Sequence, residues 1–448
     1  MKDPFISGKP CRTKGGVHVP HHKHTAALET VALPTPEKVK IPMQMHIGAP
    51  CNPLVKVGDT VLVGQKIGDA DAPFSAPIHA SVSGTVTGVY PMTLGGGAVS
   101  TVVEITSDGK MEEAPLAPPT VTDRASFLAA VRESGLVGLG GAGFPTHIKL
   151  NVPKGKTVDT LLINAAECEP YLTGDHRTAL EDGWDVLSGV YAIAHYLDIP
   201  RVLICVENNK PDAIAELRRI ADSSLDEGDR VRVLSLRASY PQGAEKVLIR
   251  AATGRVVPDG GLPADAGCIV LNITGAATLA RYLKTGMPLV SKRVTVDGDA
   301  IERPANVRVP IGTPIADVLA FCGLREEPRK VLMGGPMMGT ALADTAVPLV
   351  KNNNGILALT EKGAAQAAPG ACIRCGFCVR ACPMGLSPLT LARAASAGDT
   401  DTLQKAGALS CMECGCCSYS CPASRTIVQN IRIGKGLLRE KMKKEKKG

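Results

Sequence analysis

The sequence predicts a multidomain protein of mixed α/β and α+β class that ends in a helical, cysteine-rich domain. Three observations point there. The 448 residues exceed what a single hydrophobic core usually organises. Residues 123–289 alternate between apolar strand-like runs and amphipathic helix-like stretches, the pattern of a layered α/β unit. Finally, nine of the 15 cysteines crowd between Cys372 and Cys421.

Composition excludes several classes. With 44% hydrophobic and 21% charged residues the chain reads as globular, and no apolar run reaches the roughly 18 residues a membrane-crossing helix needs. The opening MKDPFISGKP has no apolar signal region, so a cytoplasmic location is expected, where thiols stay reduced. Part of the net charge of +7 is gathered at residues 9–14 and in the tail 439–447, REKMKKEKK. Such runs are commonly solvated ends, and they also suit docking on anionic lipid or an acidic partner. No nucleic-acid partner is expected, because aromatic residues make up 3% of the chain and no reading motif is present.

Residues 1–120 hold six histidines before position 80, including His18, His21, His22 and His24. A loose cluster of this kind reads as a solvated segment rather than a metal site. In residues 55–89 a strand pattern carries the spacing VGD…GQ…AP…SGTV, which is similar to lipoyl and biotinyl barrel-sandwich domains. The lysine that would bear the cofactor is replaced at the hairpin tip by Ala72-Pro73-Phe74, which implies a scaffold without a swinging arm.

In residues 121–290 the runs 158–164, 201–206 and 231–236 read as short strands, and 210–221 as an amphipathic helix with Pro211 in its first turn. Ahead of them lies GLVGLGGAGFPTHIKL at 135–150. Its glycines let backbone N–H groups approach a phosphate, and Lys149 adds a point charge. Taken alone the segment also reads as a plain interdomain turn, and the dinucleotide fingerprint does not fit, since no strand precedes it.

This segment resembles the flavin loop of the NADH-oxidising subunit of respiratory complex I, GLRGRGGAGFPTGLKW, at Gly138, Gly140, Gly141, Ala142, Gly143, Phe144, Pro145, Thr146 and Lys149. Asn164-Ala-Ala-Glu167-Cys-Glu169-Pro170 is similar to that family's NxDExEPG, and Tyr240-Pro-Gln-Gly243-Ala-Glu245 to its YxCGEE. Asn272 sits near the family's paired asparagines, ahead of Thr278-Leu279-Ala280. The resemblance implies FMN held by the glycine loop, Lys149, Asn164 and Asn272. It also implies NAD(H) stacked on the flavin beside Phe144, Glu169 and Glu245, with Glu167, Tyr240 and Gly243 in the same site. Departures are Val137 and Leu139 for two loop arginines, Ala166 for an aspartate and Ala244 for a glutamate.

Residues 291–361 resemble the small β-grasp module that follows the flavin domain in the complex I family. They include a tight loop, Gly334-Gly335-Pro336-Met337-Met338-Gly339, to which the sequence assigns no role. An alanine-rich linker, 362–370, leads to the last domain, 362–448.

There, Cys372-x2-Cys375-x2-Cys378-x3-Cys382-Pro383 and Cys411-x2-Cys414-x2-Cys417-x3-Cys421-Pro422 each have the spacing of the bacterial two-cluster ferredoxin motif. Three cysteines at i, i+3 and i+6 wrap one face of an iron–sulfur cube, and the fourth, expected to start a helix pointing away, reaches the neighbouring cube. One [4Fe–4S] cluster is thus assigned to Cys372, Cys375, Cys378 and Cys421, the other to Cys411, Cys414, Cys417 and Cys382. Gly376 and Gly415 turn backbone N–H groups toward the sulfurs, and Cys416 reads as a buried neighbour rather than a ligand. A pair of zinc sites would call for two separated CxxC knuckles, which this pattern does not supply. Between the runs, 388–407 reads as a helical connector with Asp399 starting its second helix.

With the opening Lys14-Gly15-Gly16-Val17-His18-Val19-Pro20, this module order resembles the C subunits of Rnf complexes. That family implies an electron-transferring subunit of a membrane-bound, ion-translocating ferredoxin:NAD oxidoreductase. It would be peripheral, on the cytoplasmic face of the membrane, bound to integral and peripheral subunits and served by a ferredoxin-linked donor. Two alternatives stay open: a cobalamin reductase of propanediol-utilisation microcompartments, and a dicluster wiring subunit without flavin.

Overall fold

The computed structural model describes residues 10–11, 13–223 and 230–445; Lys9 of the basic opening and Lys446 and Lys447 of the basic tail lie outside them. Near the N-terminus, a four-stranded antiparallel sheet is ordered Lys38–Pro42, Val99–Ser107, Gly84–Thr93, Thr60–Val61. It faces a three-stranded sheet of Asn52–Pro53, Lys66–Asp69 and Ile78–His79. Inward-facing Val39, Ile41, Val61, Ile67, Ile78, Val86, Val103 and Ile105 fill the space between, so alternation along each strand builds the barrel-sandwich.

The central unit is a parallel sheet ordered Val231–Leu236, Arg201–Glu207, Thr160–Ala165, Cys268–Asn272. Its inner strands are apolar on both faces, as a sheet covered by helices on each side requires. The helix Pro211–Ser223 buries Ala213, Ile214, Leu217 and Ile220, one stripe at helical spacing. Helices Gly183–Tyr196 and Ile273–Thr285 cross closely at Gly189, where a Cβ would collide with the Ala276 carbonyl oxygen.

Barrel and flavin-type unit share one apolar core, and Val137 and Leu139 are buried in it. The two loop arginines of the complex I pattern are therefore replaced here by apolar anchors that fasten the glycine loop to the barrel.

A six-stranded mixed sheet follows, built on Ser291–Asp297, Ala305–Pro310, Lys330–Met333 and Gly355–Leu359, and extended at one edge by Thr30–Ala32. The last domain is helical. Pro388–Ser396, Thr400–Lys405 and Ile427–Glu445 pack around Leu391, Leu403, Ile431 and Leu438. Asp399 caps the second of these helices by accepting from the Thr402 N–H, as the sequence predicts. Among the described residues, no helix is long and apolar enough to cross a membrane.

Candidate functional site

The strand order reverses between Thr160–Ala165 and Cys268–Asn272, and the predicted flavin residues gather at the carboxyl ends of these strands, where open α/β sheets place ligands. Asn164 ends one strand, donating to the Gly243 carbonyl (2.8 Å) and accepting from the Ala166 N–H (3.2 Å). Asn272 ends the other. Its side-chain oxygen caps helix Ile273–Thr285 at the Thr274 N–H, and its amide donates to Asp175 at 2.7 Å. Glu167 accepts from the N–H groups of Asp175 and His176 at the start of helix Gly174–Glu181. Burial and the neighbouring Glu167 push the Asp175 carboxyl up from its ordinary range.

The glycine loop closes over these residues. Gly140 faces Asn272, its Cβ position lying 3.5 Å from the asparagine amide nitrogen, while a Cβ on Gly141 would meet nothing within 4 Å. Lys149 pairs with Glu245 at 3.0 Å. Phe144 meets Phe74 edge to face at 6.0 Å, so the hairpin tip that lacks a cofactor lysine braces the loop instead. Behind Leu139 lies a cavity of about 210 Å³ lined by Asp182, Thr274, Arg281, Lys292, Arg293 and Arg308 among others. Asparagine amides, open glycine backbone and adjoining cations suit a flavin and its phosphate.

Buried and half-buried lysines hold this irregular backbone, and the sequence reading missed them. The Lys23 ammonium donates to the carbonyls of Glu167, Glu169 and Leu172. Lys210 donates to that of Ala166, Lys292 to that of Leu139, and Lys351 to those of Pro77 and Gly135. Loop carbonyls without a ladder partner must be satisfied somehow, and here cations do it. Burial lowers the Lys23 pKa to about 8.

Glu169 and Tyr240 stand on the side facing the cysteine domain. The Glu169 carboxylate accepts from the N–H groups of Met337 (3.0 Å) and Met338 (2.9 Å), which assigns the unexplained 334–339 loop a docking point. Burial raises the Glu169 pKa to about 7. The buried Tyr240 hydroxyl donates to the Cys414 carbonyl at 2.8 Å, and the buried Cys416 thiol lies against the Tyr240 carbonyl. A strap from the N-terminus closes the junction. Val17 exchanges hydrogen bonds with Tyr240, while the Gly16 N–H donates to Ala381. Gly15, at φ +70°, passes so near that a Cβ would lie 2.8 Å from the Cys382 carbonyl oxygen.

The motif cysteines gather around two separate pockets. Cys382, Cys411, Cys414 and Cys417, together with Cys416, line one pocket of about 360 Å³, counting its mouth, and Cys372, Cys375, Cys378 and Cys421 line another of about 380 Å³. Gly376 and Gly415 take φ of +74° and +79°, the left-handed turn each loop needs. One expectation is corrected. The fourth cysteines do not start helices; Cys382 caps the C-terminus of the short helix Phe377–Ala381, and Cys421 follows Cys416–Tyr419. A single turn between third and fourth cysteines swings the fourth across to the other pocket. Among the described residues, no three ligand-type side chains converge tightly enough for a single ion; five thiols around the first void and four around the second suit larger clusters. The N-terminal histidines pack in pairs, His18 against His21 at 5.6 Å and His22 beside His24 at 5.8 Å, while His22 also stacks on Tyr171 and His24 bonds Asp297.

Comparison with known proteins agrees with this layout. Residues 11–110 match the RnfC barrel sandwich hybrid domain, 131–281 the Nuo51 FMN-binding domain, 293–341 the SLBB domain and 371–424 the 4Fe-4S dicluster domain. A chain of an NAD+-reducing [NiFe]-hydrogenase in the H2-reduced state shares the fold with a TM-score of 0.51 and 21% identity, over 72% of this chain and 64% of that one. The C subunit of the Na(+)-translocating ferredoxin:NAD(+) oxidoreductase complex from Acetobacterium woodii is 44% identical, over 97% of this chain and 98% of its own. Its proton-translocating counterpart from Clostridium ljungdahlii is 43% identical over 97% and 95%. The C subunit of the ion-translocating oxidoreductase complex from Rhodobacter capsulatus is 41% identical over 96% and 84%. The chain therefore belongs to the C subunits of ion-translocating ferredoxin:NAD(+) oxidoreductase complexes, with their FMN-binding and 4Fe-4S dicluster domains.

Proposed function

We propose that this subunit relays electrons between NAD(H), an FMN at the glycine loop and two [4Fe–4S] clusters, peripherally on the cytoplasmic face of a membrane complex served by a ferredoxin-linked donor. The observation that carries this is the Tyr240 hydroxyl on the Cys414 carbonyl, at 2.8 Å, in the same turn as Gly243 on Asn164. One loop thus touches the flavin residues and the inner cysteine set. A flavin supplies the exchange between paired and single electrons that joins hydride chemistry to one-electron centres.

The chain's own residues would do the rest. Asn164, Asn272 and the backbone of Gly138, Gly140, Gly141 and Gly143 would hold the flavin, while the cationic cavity behind Leu139 supplies positive field for its phosphate. Phe144, Glu245 and its partner Lys149 would line the nucleotide's approach. Cys382, Cys411, Cys414 and Cys417 would hold the inner cluster, and Cys372, Cys375, Cys378 and Cys421 the outer. Relatives of nearly equal identity are named for sodium and for protons, so we place the choice of ion in other subunits. The near-full-length relatives favour this reading over a cobalamin reductase.

Anaerobic purification with assay of iron, sulfide and released flavin tests the proposal. About eight irons and one FMN per chain are expected, with NADH bleaching the cluster absorbance. Eight irons with neither flavin nor an NADH response would reduce the chain to a dicluster wiring subunit.

A further inference from the structure

The two cysteine pockets differ in what covers them. Around the inner one, Cys414, Cys416 and Cys417 are buried, and Val19, Tyr240, Ala381 and Met337 form a wall toward the flavin-type unit. Around the outer one, Cys372 is exposed. Three large apolar side chains beside it also face outward: Ile373 at 68% exposure, Phe377 at 46% and Val379 at 42%. Isolated exposed apolar residues need no explanation, but three within seven positions around a redox pocket form a patch.

The polar groups around this patch are cationic. Arg374 and Arg425 line the pocket, and the Arg380 guanidinium lies 4.6 Å over the Phe377 ring while donating to the Cys375 carbonyl at 3.3 Å. Arg425 donates to the Gly370 carbonyl. Among the described residues no carboxylate pairs with any of the three. The chain carries no Asp or Glu between Glu361 and Asp399, nor between Glu413 and Glu440. The segments that build this face are thus free of acidic residues over two long stretches, although acidic residues are plentiful elsewhere.

We propose that this face is the docking surface for an acidic one-electron carrier protein, whose acidic rim meets Arg374, Arg380 and Arg425 while Ile373, Phe377 and Val379 exclude water at the centre. The inference rests on the proposed relay and adds where it opens to a partner. The transfer would carry one electron from the partner's reduced centre to a cluster held by Cys372, Cys375, Cys378 and Cys421, with no bond formed and no proton moved. Unpaired arginines around an apolar centre provide steering and water exclusion together, the usual division in transient interfaces. An anionic lipid surface would also attract the arginines. It is disfavoured because the patch is centred on the cysteine pocket rather than on an amphipathic stripe.

The test uses the purified holoprotein with an acidic plant-type [2Fe–2S] ferredoxin as probe, a basic cytochrome c as control, and sedimentation with phosphatidylglycerol vesicles. Binding is read by interferometry and electron transfer by stopped flow. Ferredoxin binding is expected to weaken about tenfold or more between ~50 and ~300 mM salt. Arg374→Glu/Arg380→Glu and, separately, Arg425→Glu should each weaken it about tenfold with iron content unchanged; the separate variant covers a folding failure of the first. Salt-independent binding, equal binding by iron-replete variants, or arginine-dependent capture by vesicles with no ferredoxin binding would each overturn the proposal. Loss of iron and flavin from the wild-type protein would instead overturn the underlying relay.

Discussion

Replacing Glu169 by alanine should release the 334–339 loop from the flavin-type unit. The carboxylate is half-buried and accepts from two backbone N–H groups, at 3.0 and 2.9 Å. Above the Glu169 pKa of about 7, where the carboxylate is charged, hydrogen bonds to it contribute about 1.5–3 kcal/mol each. Met338 is exposed and can turn its N–H to water, so its bond counts for less. A total of about 2–3 kcal/mol corresponds to a shift of about 30- to 150-fold against the docked loop. Hydrogen exchange at the Met337 and Met338 amides, followed by mass spectrometry, should accelerate by that factor, and NADH-driven cluster reduction should slow while iron content holds. Glu169→Gln, which keeps one acceptor oxygen, should recover part of both. Unchanged exchange in Glu169→Ala together with a raised KM for NADH would refute the docking role and return Glu169 to the nucleotide site.

The same carboxyl makes a pH prediction. Because its pKa rises in the fold from about 4.5 to about 7, its contribution to stability is complete below pH 4.5 and is lost as pH climbs through 7. The difference in thermal stability between wild type and Glu169→Gln should span about 3 kcal/mol over that window; a flat difference would remove the burial argument. If the two runs exchange their fourth ligands as proposed, Cys378→Ser should abolish the electron paramagnetic resonance signal of the outer cluster and disturb the inner; full iron retention would refute the assignment. Gly15→Ala places a Cβ 2.8 Å from the Cys382 carbonyl oxygen at positive φ, so the inner cluster's signal should change and flavin-to-cluster transfer slow. An unaltered spectrum would show that the strap can shift without consequence.

Short-range chemistry was legible in the chain itself. Cysteine spacing sets which thiols share a loop, because three residues span about one turn. Gly376 and Gly415 reveal the left-handed turns, and Asp399 its helix start, since each involves only its near neighbours. Runs such as 201–206 declare themselves as strands through unbroken apolar character. The proposed crossed cysteine assignment rests on the same short-range spacing, with the helical turn lying before each fourth cysteine rather than after it.

What the sequence could not order was the meeting of distant segments. Lys23 reaches carbonyls 144 to 149 residues away, and Tyr240 reaches Cys414 across 174; no local pattern marks a lysine that will be buried or a tyrosine that will bridge two domains. Val137 and Leu139 read as losses against the arginines of a related loop, and only the shared core shows them to be anchors. Likewise, two cysteine runs of identical spacing are equivalent as text. Packing against the flavin-type unit alone makes one set inner and the other outer, because burial belongs to the assembled surface rather than to any stretch of chain.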